Sequence, residues 1–351
     1  MQSTKSNDLN QAYQRLGRRR LAVIMTLVIL VTGSLFLDVI TGPAPLSLSD
    51  VMTTLFQPGA VNEANRTIVW TFRLPTALMA VFVGASLGIA GAEMQTVLNN
   101  PLASPYTLGV SAAASFGAAL ALVLGSGTLI WTTTVFVPTS AFVCAMCCSL
   151  AIFAIGRLRG ASAETIIVGG VALHFIFSSG VAFLQYMASE DTLAAIVFWI
   201  FGTLQGANWH KLAIIVVVMV VTMGLLMSRV WQLTALRLGE HHARSLGINT
   251  ERLRLQTLIL VSILTATAVC FTGVIGFVGL LAPHLARMLV GEDQRYFIPL
   301  SALSGALLVS VAALVTKLLI PGTIFPIGIA TAAIGAPCFA AIALLRRRSY
   351  W

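Results

Sequence analysis

The stretch RLPTALMAVFVGASLGIAGAEMQTV, residues 73–97, decides the fold. After Arg73 its one ionisable residue is Glu93, and the rest is apolar, small or uncharged. A helix rises about 1.5 Å per residue, so about 20 such residues cross a hydrocarbon layer of about 30 Å. Gly84 and Gly88 stand four apart on one helix face, a spacing that lets a neighbouring backbone come close in lipid. Small residues recur at that spacing in Gly109/Ala113/Gly117, Ser301/Gly305 and Gly328/Ala332/Ala336. The pattern describes an all-α polytopic membrane protein built as a tight bundle.

Composition points the same way. Of 351 residues 58% are hydrophobic and 9% charged, with a mean hydropathy of +0.92. A soluble domain is roughly 45–50% apolar and about 25% charged, so this chain cannot coat a watery surface. Ten spanning helices are predicted, at 20–40, 74–98, 107–124, 131–155, 164–187, 210–228, 255–273, 276–290, 297–315 and 327–345. Residues 192–204, bounded by Gly202 and Gly206, predict a short re-entrant or interfacial helix. LSLSDVMTTLF (46–56), within an external loop 41–72, predicts an amphipathic surface helix. The apolar run 21–37 after GRRR (17–20) is longer than a signal-peptide core and lacks a convincing cleavage site, so it reads as a retained first helix. One helical domain, 20–345, then lies between cytoplasmic tails 1–19 and 346–351.

With the N-terminus inside, 17 of the 21 basic residues fall in cytoplasmic segments; Arg66, Arg73, Lys211 and Lys317 are the exceptions. The positive-inside rule thus places the chain in a cytoplasmic (inner) membrane, surrounded by lipid, with both termini cytoplasmic. The net charge of +9 comes in short clusters without interleaved aromatics, which argues against nucleic acid as a partner. Five cysteines (Cys144, Cys147, Cys148, Cys270, Cys338) lie in apolar runs, and the C-x-x-C of Cys144 and Cys147 has no His or carboxylate near it. They read as packing residues, not as a metal or redox site. Neither a catalytic triad nor a G-x-x-x-x-G-K-[ST] phosphate loop is present, so no bound cofactor is expected and any ATP must be hydrolysed by another chain.

One loop breaks the apolar pattern. LRLGEHHARSLGINTERLR (236–254) holds Arg237, Glu240, Arg244, Glu251, Arg252 and Arg254, with His241 and His242 beside them. Glu240 and Arg244, at i and i+4, form a favourable helical pair. Gly239 and Gly247 bracket that helix as flexible termini. Leu238, Ala243, Leu246 and Ile248 offer an apolar contact face. The bland alternative, a basic cytoplasmic loop, explains the arginines but not the glycine-bracketed helix.

Together with residues 73–120, LGEHHARSLG (238–247), GVIGFVGLLAPHLARMLVGEDQRYFIPLSALSGALL (273–308) and FPIGIATAAIGAPCFAAIALL (325–345) closely resemble the FecCD/BtuC-like permeases, membrane subunits of iron-siderophore, haem and cobalamin ABC importers. The likeness runs from about residue 20 to the C-terminus. It implies a ten-helix, type II importer subunit that pairs with an identical or related permease. Two cytoplasmic ATPase subunits using ATP and Mg, and an external substrate-binding protein, complete the machine. It further implies that Leu238, Gly239, Glu240, His241, Ala243, Arg244, Leu246 and Gly247, in a coupling loop at about 234–250, contact the ATPase. Arg73 and Lys317 would meet glutamates of the binding protein, the alternative being interfacial snorkelling. The loop GASAET (160–165) corresponds to a cytoplasmic gate, with Ser162 and Ala163 as its small residues, and Glu164 departs from that pattern.

Inside the predicted membrane region, Glu93 either lines the lower pathway with Gln95 and Asn99 or pairs with a neighbouring helix. His174 and His284 read as packing residues. The resulting expectation is an ATP-driven iron(III)-siderophore importer. Haem or cobalamin import is the variant within the class. An ion-gradient-driven secondary transporter is the rival outside it, and would need paired intramembrane acids or broken helices around a midplane site.

Overall fold

Pro75 and Pro138 each sit just past a π-helical run, and both runs lead straight into long apolar helices. The computed structural model of the chain describes residues 2–59, 61–125, 132–158, 162–319 and 325–345, apart from the side chains of 2–16, 132, 133, 343 and 345. The tail 346–351, Gly160 and Ala161 of the predicted gate loop, and Arg159 lie outside the described residues. Thr67–Arg73 is π-helical and continues into the helix Leu74–Val97, and Thr132–Phe136 is π-helical and continues into Val137–Leu158. Proline has no N–H, and its ring crowds the carbonyl four residues back, so a widened turn ahead of it relieves the strain.

Among the described residues the chain is helical throughout, without strands. In order the helices are α1 Gln2–Ile40, α2 Leu48–Phe56, α3 Glu63–Arg66, α4 Leu74–Val97, α5 Val110–Leu124, α6 Val137–Leu158, α7 Ala163–Met187 and α8 Glu190–Phe201. They continue as α9 Trp209–Met227, α10 Val230–Arg237, α11 Glu240–Ser245, α12 Thr250–Thr272, α13 Val278–Val290, α14 Gln294–Leu319 and α15 Ile327–Leu345. Each predicted spanning run coincides with one of these helices. Among the described residues seven helical stretches are long and apolar enough to cross a membrane, Gly17–Ile40 and Glu63–Val97 being two of them, while α5, α13 and Ile327–Ile342 of α15 are shorter apolar helices. The predicted surface helix is α2, whose Ser47 and Asp50 form a reciprocal capping box. The apolar run at 192 begins two residues earlier than predicted as α8, because Ser189 caps it and Glu190 and Asp191 suit the positive end of its dipole.

α4 is the buried axis, packed on α14, α12 and α13. Its glycines explain how. A Cβ at Gly84 would run into the carbonyl of Gly305, one at Gly88 into that of Ser301, and one at Gly91 into that of Gly279. The Gly84/Gly88 and Ser301/Gly305 rows read from the sequence are therefore a backbone-to-backbone contact between α4 and α14, and Gly91 extends it to the start of α13.

The short helices have a common cause. Gly202 (φ +75°) ends α8 and Gly273 (φ +71°) ends α12, and the two breaks touch. Thr203 N donates to Thr272 O at 2.8 Å, and Ile327 N donates to Gly202 O at 3.1 Å, which ties in the start of α15. The chain thus leaves helical geometry at 273–277, and again at 98–109 before α5. Non-helical backbone within a membrane bundle survives only where protein buries it or a cavity receives it. A cavity of about 840 Å³ does so, lined by Ser104–Thr107, Val274–Phe277, Phe201 of α8, and Gly328 and Ala332 of α15.

Candidate functional site

One end of the bundle gathers Arg20, α10, α11, the start of α12 and the turn between α13 and α14, and is here named the basic end. There α11 is held by a clasp centred on Glu240. Its Oε1 accepts from Arg244 at 2.6 Å and from Thr250 Oγ1 at 3.2 Å, and its Oε2 accepts from Arg254 at 3.2 Å. Arg254, 3% exposed, also donates from Nε to the carbonyl of Val97 at 2.8 Å. Val97 is the last residue of α4, where the helix dipole is negative and the carbonyls lack helical partners. One guanidinium therefore joins the short helix to the central membrane helix.

The clasp settles how α11 stands. The i, i+4 pair of Glu240 with Arg244 is formed. Gly239 (φ +120°) and Gly247 (φ +79°) serve as left-handed turn residues rather than loose hinges, a conformation that L side chains resist. Leu238 and Leu246 are 71% and 66% exposed and point away from the bundle, as do His241 and His242. The predicted contact face needs one correction. Ala243 is wholly buried and Ile248 packs on the same core, so both anchor α11 inward. The outward apolar surface is Leu238, Leu246 and Trp231 of α10, whose ring lies under Arg295 at 5.0 Å.

Burial alone would raise the Glu240 carboxyl pKa, but Arg254, Arg244 and Thr250 together hold it below the ordinary 4.5. A lowered folded value means stabilisation that is complete above 4.5 and lost as pH falls through the folded value. Hydrogen exchange of residues 240–246, normalised to intrinsic rates, is accordingly expected to stay constant from neutral pH down to 4.5 and to rise below it. In Glu240→Gln the same segment should exchange faster and show no such step.

A second network explains Gln95 and Asn99. Arg287 donates to Gln95 Oε1 at 2.9 Å, Arg237 donates to Asn99 Oδ1 at 2.8 Å, and Arg237 and Arg287 both pair with Glu292. Gln294 Nε2 reaches Thr96 Oγ1 at 3.0 Å, and Arg20 reaches Asp293 at 3.3 Å. These residues tie the end of α4 to α10, α13, α14 and α1. Gln95 and Asn99 are thus held within the chain and do not line the cavity, which corrects the pathway expectation for them. Glu93 is fully buried, is likewise absent from the cavity wall, and has no hydrogen-bond partner among the described residues. Thr257 of α12 likewise buries its hydroxyl without a hydrogen-bond partner among the described residues.

At the predicted gate, Ser162 caps α7, accepting from Thr165 N at 3.2 Å. Ala163 leans on the core, and Glu164 is exposed in the first turn, where the dipole favours it.

The opposite end corrects the docking expectation. Arg73 is 6% exposed and donates to the carbonyls of Val39 (3.1 Å), Ile40 (2.7 Å) and Ala44 (2.5 Å), capping the C-terminus of α1. The cation at the head of its own helix is offset by the negative end of another. Lys317 pairs with the buried Asp38 at 2.9 Å and donates to its carbonyl at 3.0 Å. Both residues are committed to α1, with Arg73 turned wholly inward. His174 packs on Tyr106, and His284 meets Phe339 edge-on, as expected of packing residues.

Sequence reasoning missed Arg254 as the bridge and Phe277 as a cavity wall. Phe277 holds φ +64°, an uncommon conformation for a bulky residue, and its ring occupies the space over Gly335. The G-F-V-G run signalled the position but not the strain.

Comparison with known proteins matches this architecture. A family model, the FecCD transport family, matches residues 27–346. The cobalamin import system permease protein of Halobacterium salinarum is 37% identical, over 82% of this chain and 76% of its own. The Fe(3+)-citrate import system permease protein YfmD of Bacillus subtilis is 34% identical, over 94% of this chain and 96% of its own. A solved structure described as an inward-facing metal-chelate type ABC transporter superposes with a TM-score of 0.81 at 30% identity, covering 92% of this chain and 99% of that one. The chain belongs to the FecCD transport family and is a multi-pass membrane permease subunit of an ABC importer, not its ATPase.

Proposed function

We propose that the chain forms, with a second permease, the pathway by which an iron(III)-siderophore crosses the cytoplasmic membrane, and that α11 is where the ATPase pushes. The observation that carries this reading is the clasp. A six-residue helix is anchored to α4 through Glu240 and Arg254 while Leu238 and Leu246 stand exposed beside it. Exposed leucines on a firmly braced helix suit a partner's cleft and resist being pushed aside. The positive-inside rule puts that end in the cytoplasm, where two ATPase subunits would use ATP and Mg. In this reading α5, α13 and α15 complete ten crossings, and an external binding protein delivers cargo to the opposite end.

The cavity supports a bulky, loosely held cargo. Among the described residues no charged side chain lines its roughly 840 Å³, and its wall includes Leu87, Tyr106, Ile200, Phe201, Val274 and Phe277. A smooth wall passes a large chelate without trapping it and leaves selection to the delivering protein. The kinship with a Fe(3+)-citrate permease favours iron, and the cobalamin relative favours the second reading, a corrinoid. The test is uptake into proteoliposomes holding both permeases and the ATPases, with the binding protein outside. ATP-dependent, saturable entry of a radio-iron siderophore is expected, with cobalamin and haem excluded. Entry of cobalamin alone would reject the cargo, and gradient-driven uptake with a dead ATPase would reject the ABC mechanism.

A further inference from the structure

At the end opposite α11, a polar pocket of about 410 Å³ lies between the head of the helix leading into α4 and the head of α9. Its wall includes Glu63, Arg66, Thr67, Trp70, Thr71 and Trp209. The two indoles are fixed. Trp70 Nε1 donates to Thr54 O at 3.0 Å and Trp209 Nε1 to Trp70 O at 3.0 Å, with ring centroids 6.2 Å apart and tilted by 34°. Their N–H groups are satisfied inside the protein, which leaves π surface as what they offer the pocket. Glu63 and Arg66 are exposed, stand one turn apart, and form no ion pair among the described residues.

Depth identifies the surroundings. The continuous helix Glu63–Val97 has 35 residues. At 1.5 Å each it is about 50 Å long, well beyond the hydrocarbon's roughly 30 Å, so its first turns stand among lipid headgroups. Trp209 begins a separate spanning helix at the same level. Beyond the pocket the exposed surface of α9 turns apolar, with Val217, Val220 and Val221 more than half exposed. A polar pocket with one acid, one arginine and aromatic walls, set beside an apolar surface, matches one amphiphile.

We propose that this pocket binds the headgroup of a zwitterionic phospholipid of the phosphoethanolamine type, with its phosphate on Arg66 and its ammonium between Glu63 and the Trp70 and Trp209 faces. Arginine suits a phosphate and an aromatic face attracts an ammonium, while the acid distinguishes this headgroup from an anionic one.

The full chain, stripped of lipid in detergent, is titrated with dihexanoyl phosphatidylethanolamine below its micelle concentration, followed by thermal shift. Saturable binding is expected, preferred over dihexanoyl phosphatidylglycerol by about tenfold, the sum of one exposed charge pair and one cation–π contact. Glu63→Gln should abolish that preference while keeping phosphate-dependent binding, and Arg66→Gln should weaken both lipids. Both residues are exposed, so the variants should melt as the parent does without lipid. Equal affinity for the two lipids in the parent chain overturns the assignment. So does free phosphoethanolamine competing as well as the lipid, which would mark a soluble ligand. Unchanged lipid binding in both variants, with weakened attachment of the external delivery protein, would make this a protein dock instead.

Discussion

In the assembled transporter, Arg254→Gln is expected to cut ATP-driven uptake by at least about tenfold while ATP hydrolysis continues. Arg254 makes one bond to the last carbonyl of α4 and another to the carboxylate that holds α11. Hydrogen bonds to charged groups contribute about 1.5–3 kcal/mol each, so losing both exceeds the 1.4 kcal/mol of a tenfold effect. The rest of the clasp survives, because Glu240 keeps Arg244 and Thr250 and is open enough to be hydrated. Ala243 keeps its buried seat as well. The short helix should therefore still form, and on the proposed coupling role it would still meet the ATPase while its displacement no longer pulls on α4. Arg254→Lys should be impaired almost as much, since a single ammonium lacks the fork that serves two acceptors in different directions. Glu240→Gln should be milder, because an amide oxygen can still accept from Arg254. Uptake at the parental rate in Arg254→Gln would refute the bridge. Failure of the subunits to assemble would reduce the residue to a structural one.

Much of this was legible in the sequence, and the limits follow from what periodicity encodes. Apolar runs report length and lipid exposure, so each predicted run falls on a helix, while seven of the described helical stretches are long and apolar enough to cross a membrane. The run from Glu240 to Gly247 reported its own helix, because a pair at i, i+4 and two flanking glycines are local signals. Arg73 shows the boundary. Its position at a helix head invited an outside acid, yet its partners are carbonyls at Val39, Ile40 and Ala44, some thirty residues earlier. Gln95 and Asn99 failed for the same reason. Polar residues near a membrane helix end look alike in sequence whether they face a pathway or an arginine from α13 or α10. The cavity was invisible because its wall is made by residues flanking the helix breaks at Gly202 and Gly273 and by the start of α15 packed against them, which only their convergence in space makes meaningful.

Gly84→Ala is expected to be among the most damaging single-methyl changes in the chain. A Cβ there would enter the carbonyl of Gly305, and Gly305 reciprocally faces the carbonyl of Gly84. Overpacking an ordinary core costs about 1–3 kcal/mol because side chains can shift aside. Here the obstacle is backbone on a second spanning helix, so α4 and α14 must separate along their whole contact. In lipid no hydrophobic force between helices compensates, since close packing is itself what holds them together. Separation would also loosen Gly88 from Ser301. Gly224 supplies the control, for it sits in α9 with open space where a Cβ would be placed. Alanine there should be neutral or stabilising by up to about 1 kcal/mol through helix propensity alone. Thermal unfolding in detergent, followed by tryptophan fluorescence or by aggregation onset, should place Gly84→Ala far below the parent and Gly224→Ala at or above it. Equal melting of the two variants would mean that the glycines of α4 mark no backbone contact. A large drop confined to Gly84→Ala would place the bundle's stability in the glycine face of α4, where it meets the backbone of α14.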